Sequence, residues 1–461
     1  MHKLFPKALQ GGGLLLLRHG AGLLLSALQL LLVARWIGPE AYGLYALGTA
    51  FAGLLALAGQ GGLPTYLVRR QEVSLEELRE AQALLLLLAL ALLLLLLPLS
   101  LGLKTLAHLP PQALPPLLVL GGAGLLQGVS GVLWVRLERA LAYPLVARLE
   151  LLGQALSLSL SVPLALQGLG VWAPTLGYFA QHLFLLLVLW HLAPTPPRWR
   201  RPAWLREGLA FGFRGSLSAL LAQVRPTLAL AVAHRFLGEE MAGAVALALK
   251  LVDYASLAKG VLFRVALPVL GRLQGEPEAF RGALEGFALL STLGSGLPLL
   301  VLTALGGHLP ALLGRDWPSL DLFLPVLALA GLAHGVFLPQ AAALLALGRA
   351  GVVLRFELLH TALLLALLPL GASTLGLWGY ALGYMGALLP YGSFLSLRFP
   401  LVWGWGVFMG MVSLLSLGGK GFWGWIWGWI GLLFWGAWAL PQTLRILTSF
   451  LKSSRRKERT C

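Results

Sequence analysis

The chain is poor in charge. Asp, Glu, Lys and Arg make up 11% of its 461 residues, against roughly 25% in an ordinary soluble domain. That is too little to cover a soluble surface, and a hydrophobic content of 58% points to a protein surrounded by lipid. Cysteine is all but missing: the single residue, Cys461, excludes an intrachain disulfide, and its terminal position does not match a prenylation box. Zinc-ligand spacing, a glycine-rich phosphate loop and a serine-nucleophile elbow are absent too, so neither cofactor nor metal chemistry is expected. The outer loops lack length. The largest, Lys104 to Pro116 and His308 to Leu320, leave no room for an extracytoplasmic catalytic domain.

What is present is a series of apolar runs near the ~20 residues that cross a hydrocarbon core. Fourteen spans are expected, at about 14–34, 41–63, 83–103, 114–135, 149–167, 171–192, 209–233, 242–263, 286–306, 321–347, 353–371, 376–397, 400–417 and 422–440. All should be helices, because a helix satisfies its own backbone hydrogen bonds in lipid. Lys3 and Lys7 precede the first run with no convincing small-residue cleavage site, so that span is expected to be retained. With these spans, 26 of the 34 basic residues fall on the side of the N-terminus and five on the other, which places both termini in the cytoplasm of a multi-pass protein of the cytoplasmic membrane. The net charge of +16 follows those loops and the tail SSRRKER. It reads as orientation and attraction to anionic membrane lipids rather than as a nucleic-acid surface.

Two stretches repeat at an offset of two hundred residues, VARWIGPEAYGLYAL from Val33 and AHRFLGEEMAGAVAL from Ala233. Arg35 aligns with Arg235, Gly38 with Gly238, Glu40 with Glu240, Gly43 with Gly243, Ala46 with Ala246 and Leu47 with Leu247. Each stretch sits between the first and second spans of a six-span half, so the chain reads as a duplicated bundle with its substrate path between the halves. The proline- and arginine-rich segment 193–208 separates an N-terminal half, 1–192, from a C-terminal half, 209–397. Two extra spans, 398–440, carry half of the sixteen tryptophans, and a basic tail, 441–461, follows. Interfacial anchoring accounts for the outer tryptophans.

The segment Val33 to Arg70 resembles the opening of bacterial polysaccharide and oligosaccharide flippases, of the multidrug/oligosaccharidyl-lipid/polysaccharide exporter superfamily. The matching features are Arg35, the turn Gly38-Pro39-Glu40, Tyr42-Gly43-Leu44-Tyr45, and Gly62-Leu63 followed by Arg69-Arg70. The likeness continues through LREGLAFGF near Leu205 and GEEMAGAVALALKLVDY near Gly238, although Ala244 and Val245 stand where the family usually has a tyrosine. The resemblance implies an all-helical transporter that moves a polyprenyl-diphosphate-linked oligosaccharide without covalent chemistry, beside a glycan polymerase and glycosyltransferases. Such a substrate calls for positive charge inside the spans, where each charge costs ~2.5–3.5 kcal/mol on insertion scales and so faces a partner or a cavity.

Arg225, followed by Pro226, lies near the middle of span seven with no carboxylate in its own span. Lys250 and Asp253 share a helical face in span eight, with Lys259 beyond. Lys250 and Asp253 either neutralise one another or leave Lys250 to the substrate. Arg18 and Arg214 enter spans one and seven at comparable places, where they either receive diphosphate or snorkel to headgroups. Glu357 and His360, three apart and next to Arg355, either carry a coupling proton or form a local ion pair; Glu150 is a further candidate. Polar residues of spans one and seven (Ser26, Gln29, Ser216, Ser218, Gln223, Thr227) suit sugar hydroxyls and helix–helix hydrogen bonds equally.

Rival readings are a peptidoglycan-precursor flippase, a multidrug/cation antiporter, a membrane glycan polymerase or ligase, and a non-transporting scaffold. The antiporter would be expected to use carboxylates within spans one to four, which hold none. The polymerase needs a sizeable outer loop.

Overall fold

The computed structural model describes residues 4–392 apart from 71, 141, 201, 315 and 316; most side chains of 4–24 and 207–218 are not among those described. The expected spans 400–417 and 422–440, their tryptophans and the basic tail lie outside the described residues. Helices and their connections make up everything described, with no strand among the described residues. Eight of these helices are long and apolar enough to cross a membrane, or nine if one bent pair counts as a single span. This is a multi-pass membrane protein.

Two compact units divide the chain, one of Met1–Ala246 with Leu313–Arg315 and one of Leu247–Leu312 with Asp316–Cys461. In the first, α1 (Leu4–Gln60) is 57 residues long, which at ~1.5 Å per residue is far longer than a ~30 Å hydrocarbon core. Its break at Gly38 (φ 81, ψ 174) splits it into the two spans expected from sequence. There follow α2 (Leu63–Arg69), α3 (Leu75–Leu106), α4 (Leu114–Val129), α5 (Gly131–Arg139), α6 (Tyr143–Leu166), α7 (Trp172–Leu192), α8 (Leu205–Leu237) and the start of α9 (Glu239–Ala255). The N-terminus of α3 is set by a capping box: Ser74 Oγ accepts from the Glu77 amide at 3.2 Å and the Ser74 amide donates to Glu77 Oε2 at 2.8 Å.

The helices of this unit approach through small residues, as lipid-embedded helices do. A Cβ at Gly124 would strike the Ala52 carbonyl, and one at Gly177 the Ser161 hydroxyl. Side-chain amides join helices as well: Gln29 Nε2 donates to Ser157 Oγ at 2.9 Å, Gln223 Nε2 to the Ala50 carbonyl at 3.2 Å and Gln82 Nε2 to the Val129 carbonyl at 3.1 Å. Gln29 and Gln223, which suited sugar and packing equally in the sequence, are thus used in packing. The segment 193–208 is docked against this unit. Arg136 Nη1 donates to the Pro194 carbonyl at 2.6 Å, Arg198 pairs with Glu76, and Trp204 stacks on Tyr66 with ring centroids 5.9 Å apart. The boundary between compact units therefore falls after Ala246, past the proline- and arginine-rich segment, because α8 packs on α1.

The second unit contains the rest of α9, α10 (Ala258–Arg272), α11 (Pro277–Leu305), α12 (Leu309–Leu313), α13 (Leu320–Ala346), α14 (Ala350–Gly386) and α15 (Leu389–Gly392). Here α13 is the central helix, packed by α10, α11 and α14, and Ser291 Oγ of α11 donates to its Gly335 carbonyl at 2.7 Å. The 37 residues of α14 are broken at Gly376 (φ 55, ψ −129). The two arms lie so close that a Cβ at Gly379 would strike the Gly371 carbonyl and one at Gly383 the Leu367 carbonyl. The first arm covers expected span eleven, while the second ends at Gly386, within expected span twelve, 376–397. Expected span eight is instead two helices, α9 and α10, bent by 47°, with Ser256 Oγ turned back onto the Val252 carbonyl at the break.

Candidate functional site

Arg225 lies in α8, which runs without interruption through Pro226. It is 9% exposed, so protein covers it, and burial of a cation is tolerated only with polar or charged company. Thr227 Oγ1, two residues on, donates to the Gln223 carbonyl at 3.1 Å, and Gln223 in turn reaches α1. Gln223 thus links α8 to the second arm of α1, while Arg225, two residues from both Gln223 and Thr227, projects from another face of α8.

The α9–α10 charges pair across the bend between the two helices. Asp253 Oδ1 pairs with Lys259 Nζ at 3.9 Å, and among the described residues no ion pair joins it to Lys250. The reason is the bend: after α9 ends at Ala255, the new direction of α10 carries Lys259 back towards the carboxylate. The Asp253 side chain is 66% exposed and that of Lys259 17%, and Lys250 is exposed. Arg18 and Arg214 lie in α1 and α8, and neither side chain is among those described. On α14, His360 is buried, Glu357 half-buried and Arg355 exposed. Thr361 Oγ1 donates to the Glu357 carbonyl at 2.8 Å, so one turn of this helix gathers three polar groups.

The duplicated motif forms a contact with its own copy. Gly238 (φ 90, ψ 172) repeats the backbone of Gly38, a conformation that is essentially restricted to glycine. The helical segments that start after these two glycines cross at the equivalent residues Gly43 and Gly243. A Cβ at Gly43 would lie 2.8 Å from the Gly243 amide nitrogen, and one at Gly243 would strike the Pro39 carbonyl. The flanking arginines reach other segments of the same unit: Arg235 Nη1 donates to the carbonyl of Leu106, the last residue of α3, at 3.2 Å, and the Arg35 guanidinium lies beside Gly314, 3.4 Å from where a Cβ would stand. Glu239 and Glu40 sit within electrostatic reach of each other at this seam.

Sequence reasoning read Gly38 and Gly238 as turn chemistry and did not foresee that Gly43 and Gly243 touch. It also missed His234, buried where the first copy has Ala34, with the Gly43 backbone beside it. The signal available was the substitution of a polar ring for a methyl group at an equivalent repeat position.

Known proteins agree with this architecture. The family described as polysaccharide biosynthesis protein matches residues 32–320. A lipopolysaccharide biosynthesis protein of Escherichia coli (strain K12), WzxC, is 24% identical over 213 residues, 45% of this chain and 41% of its own. The chain therefore spans less than half the length of that curated relative. A multidrug resistance transporter of the MATE family and MOP superfamily, in an inward-facing conformation, superposes with a TM-score of 0.66 at 16% identity over 87% of this chain and 96% of its own. The lipid II flippase MurJ, in an inward closed conformation, does so with a TM-score of 0.65 at 14% identity over 95% and 99%. At these identities the two structures establish the fold.

Proposed function

The chain belongs to the polysaccharide biosynthesis protein family, and from that premise we propose that it is a flippase that carries a polyprenyl-diphosphate-linked oligosaccharide from the cytoplasmic to the outer leaflet. The observation that carries the reading is the family match itself, which runs from the first copy of the duplicated motif through the second. The named activity of the WzxC relative points to glycans of the cell surface. The membrane is the cytoplasmic one, with both termini inside, and a glycan polymerase and glycosyltransferases act before and after the transfer.

Mechanistically, the prenyl tail stays in lipid while the diphosphate and sugars follow a polar route. Arg225, Lys250 and Lys259 offset the loss of water around the diphosphate, and Arg18 and Arg214 receive it at the cytoplasmic mouth. Asp253 holds Lys259, and Glu357 with His360 supplies the coupling group. Halves 1–192 and 209–397 alternate access between leaflets, and release on the outer side requires the Gly43–Gly243 seam to part. No bond is made or broken.

The test is genetic and chemical together. Deleting the gene should remove the surface glycan and cause its lipid-linked precursor to accumulate on the cytoplasmic side, with both restored by the wild-type chain. Normal surface glycan in the deletion strain would refute the reading. Reporter fusions after residues 200 and 312 should report cytoplasm and outer side respectively; the reverse would refute the orientation.

A further inference from the structure

The two copies of the duplicated motif bury different groups at one position. In the first, Ala34 precedes Arg35 and is fully buried. In the second, His234 precedes Arg235 in the last turn of α8, just past expected span seven, 209–233, and is 5% exposed. Neither Nδ1 nor Nε2 has a hydrogen-bond partner among the described residues. What lies beside the ring is the backbone of Gly43, the residue that crosses Gly243. A buried polar group without a partner destabilises the arrangement that buries it, and the methyl group of Ala34 fills the equivalent place without that cost.

Charged and titratable groups stand at this end of the elements around α8. From α1 come Arg35 and Glu40, from α3 Lys104 with His108 in the turn after it, and from α9 Glu239 and Glu240; α2 packs at the other end of α8, by Trp204. Arg35 lies beside Gly314 and Arg235 bonds the Leu106 carbonyl, while Glu40 and Glu239 act on one another. Among the described residues no carboxylate balances a charge on the His234 ring. Burial therefore keeps the imidazole neutral and pushes its pKa down to about 4. Acid stabilises whichever arrangement binds protons more tightly, so at His234 it favours a seam that has parted and wetted the ring. Glu239 has the opposite sign: burial, then Glu40, raises its proton affinity, and acid there favours the closed seam.

We propose that His234 is a pH-sensitive switch on the outer seam: neutral, it lets the Gly43–Gly243 crossing close, and protonated, it holds the crossing open to outer water. With an ordinary imidazole pKa of about 6.5 once the ring is wet, the ratio of parted to closed forms rises about ten-fold from about pH 7.5 to about pH 5.5. The bias is lost as pH climbs past that ordinary value. The switch follows from burial at the crossing; its outward position rests on the flippase reading.

The test uses the full-length protein in lipid nanodiscs, carrying Cys461→Ser and spin labels on Trp36→Cys and Phe236→Cys, two exposed residues that precede the turn glycines. Pulsed electron paramagnetic resonance reads the distance between the labels at about pH 7.5 and about pH 5.5. Acid should raise the ratio of long to short distances about ten-fold. His234→Ala, which copies the first repeat, should abolish that rise and leave only the opposite drift from Glu239. His234→Gln, polar but without a titration in this range, should abolish it too, and it carries the test if the alanine variant fails to reach the membrane. A rise of wild-type size in either variant places the titration elsewhere and overturns the switch, as does a distribution that acid leaves unchanged or shortens with His234 present. A pH-dependent seam together with normal surface glycan in a deletion strain would refute the flippase reading and leave the switch standing; lost surface glycan with a pH-indifferent seam would do the opposite.

Discussion

The two copies of the duplicated motif share a backbone and differ in chemistry. Gly38 and Gly238 have φ of 81° and 90° and ψ of 174° and 172°, so the chain turns alike at both. Two hundred residues apart, however, Leu25 becomes Arg225, Ala50 becomes Lys250, Gly53 becomes Asp253 and Gly59 becomes Lys259. The first copy keeps small and apolar groups, and they are used for close packing: a Cβ at Gly53 would lie 2.6 Å from Gln223 Nε2, and Ala50 supplies the carbonyl that Gln223 bonds. At these four pairs of positions the second copy carries the charge. Duplication preserved the turn and the crossing, while at these positions charge stands in the second copy alone.

The largest expected effect comes from breaking the crossing itself. Gly43→Leu or Gly243→Leu should abolish glycan export and lower membrane abundance, because the added side chain meets backbone that cannot move aside; overpacking of this kind costs about 1–3 kcal/mol or more. Gly243→Ala should do more harm than Gly43→Ala, since its Cβ would strike a carbonyl. Immunoblotting of membranes beside the surface-glycan assay checks both, and equal, harmless alanine variants would remove the seam.

Next in size is the charge asymmetry. Arg225→Ala should strongly reduce export at unchanged abundance, and Arg225→Lys should keep part of it, because the charge survives and the bidentate geometry does not. Placing the cation in the other copy, as Leu25→Arg with Arg225→Leu, should not restore export. Rescue by that exchange would mean that the copies are equivalent and the asymmetry is incidental.

Smaller effects should follow from the turns. Gly38→Ala and Gly238→Ala each force a side chain into positive φ, at about 1–3 kcal/mol. Thermal unfolding of the purified protein should show comparable losses for the two, and a loss at one alone would show that the matching angles do not reflect matching demands.

The smallest concerns Asp253 and Lys259. At 3.9 Å and with the carboxylate 66% exposed, the pair should contribute only ~0–1 kcal/mol, so both single alanine variants and the double should unfold within that range of wild type. Lys250→Ala should lower export to the same degree with or without Asp253→Ala. Full rescue of export in that double variant would return Lys250 to the role of Asp253's partner.

Much was legible without coordinates. Hydrophobic runs long enough for lipid, the turn glycines and the two-hundred-residue repeat are local or periodic properties, and the structure carries them as α1, α8, α9 and the two arms of α14. Candidate charges inside spans were legible because a charge in an apolar run stands out. Their partners were not, since the choice of Lys259 over Lys250 by Asp253 depends on a helix break at Ser256 that periodicity does not reveal. Nor was the fate of Gln29 and Gln223, whose amides fit sugar or carbonyl equally until a neighbouring helix is placed.

The sequence by itself determined the solvent of this protein, its helical class, its family and its internal duplication, because scarcity of charge and the demands of backbone hydrogen bonding in lipid act along the chain. The tertiary structure alone decided that Gly43 meets Gly243, that the segment 193–208 is docked rather than loose, and that His234 is buried beside Gly43. Those are relations between residues tens to hundreds of positions apart, and they arise from how close two helices can pass, which is set by the side chains absent at the crossing as much as by those present.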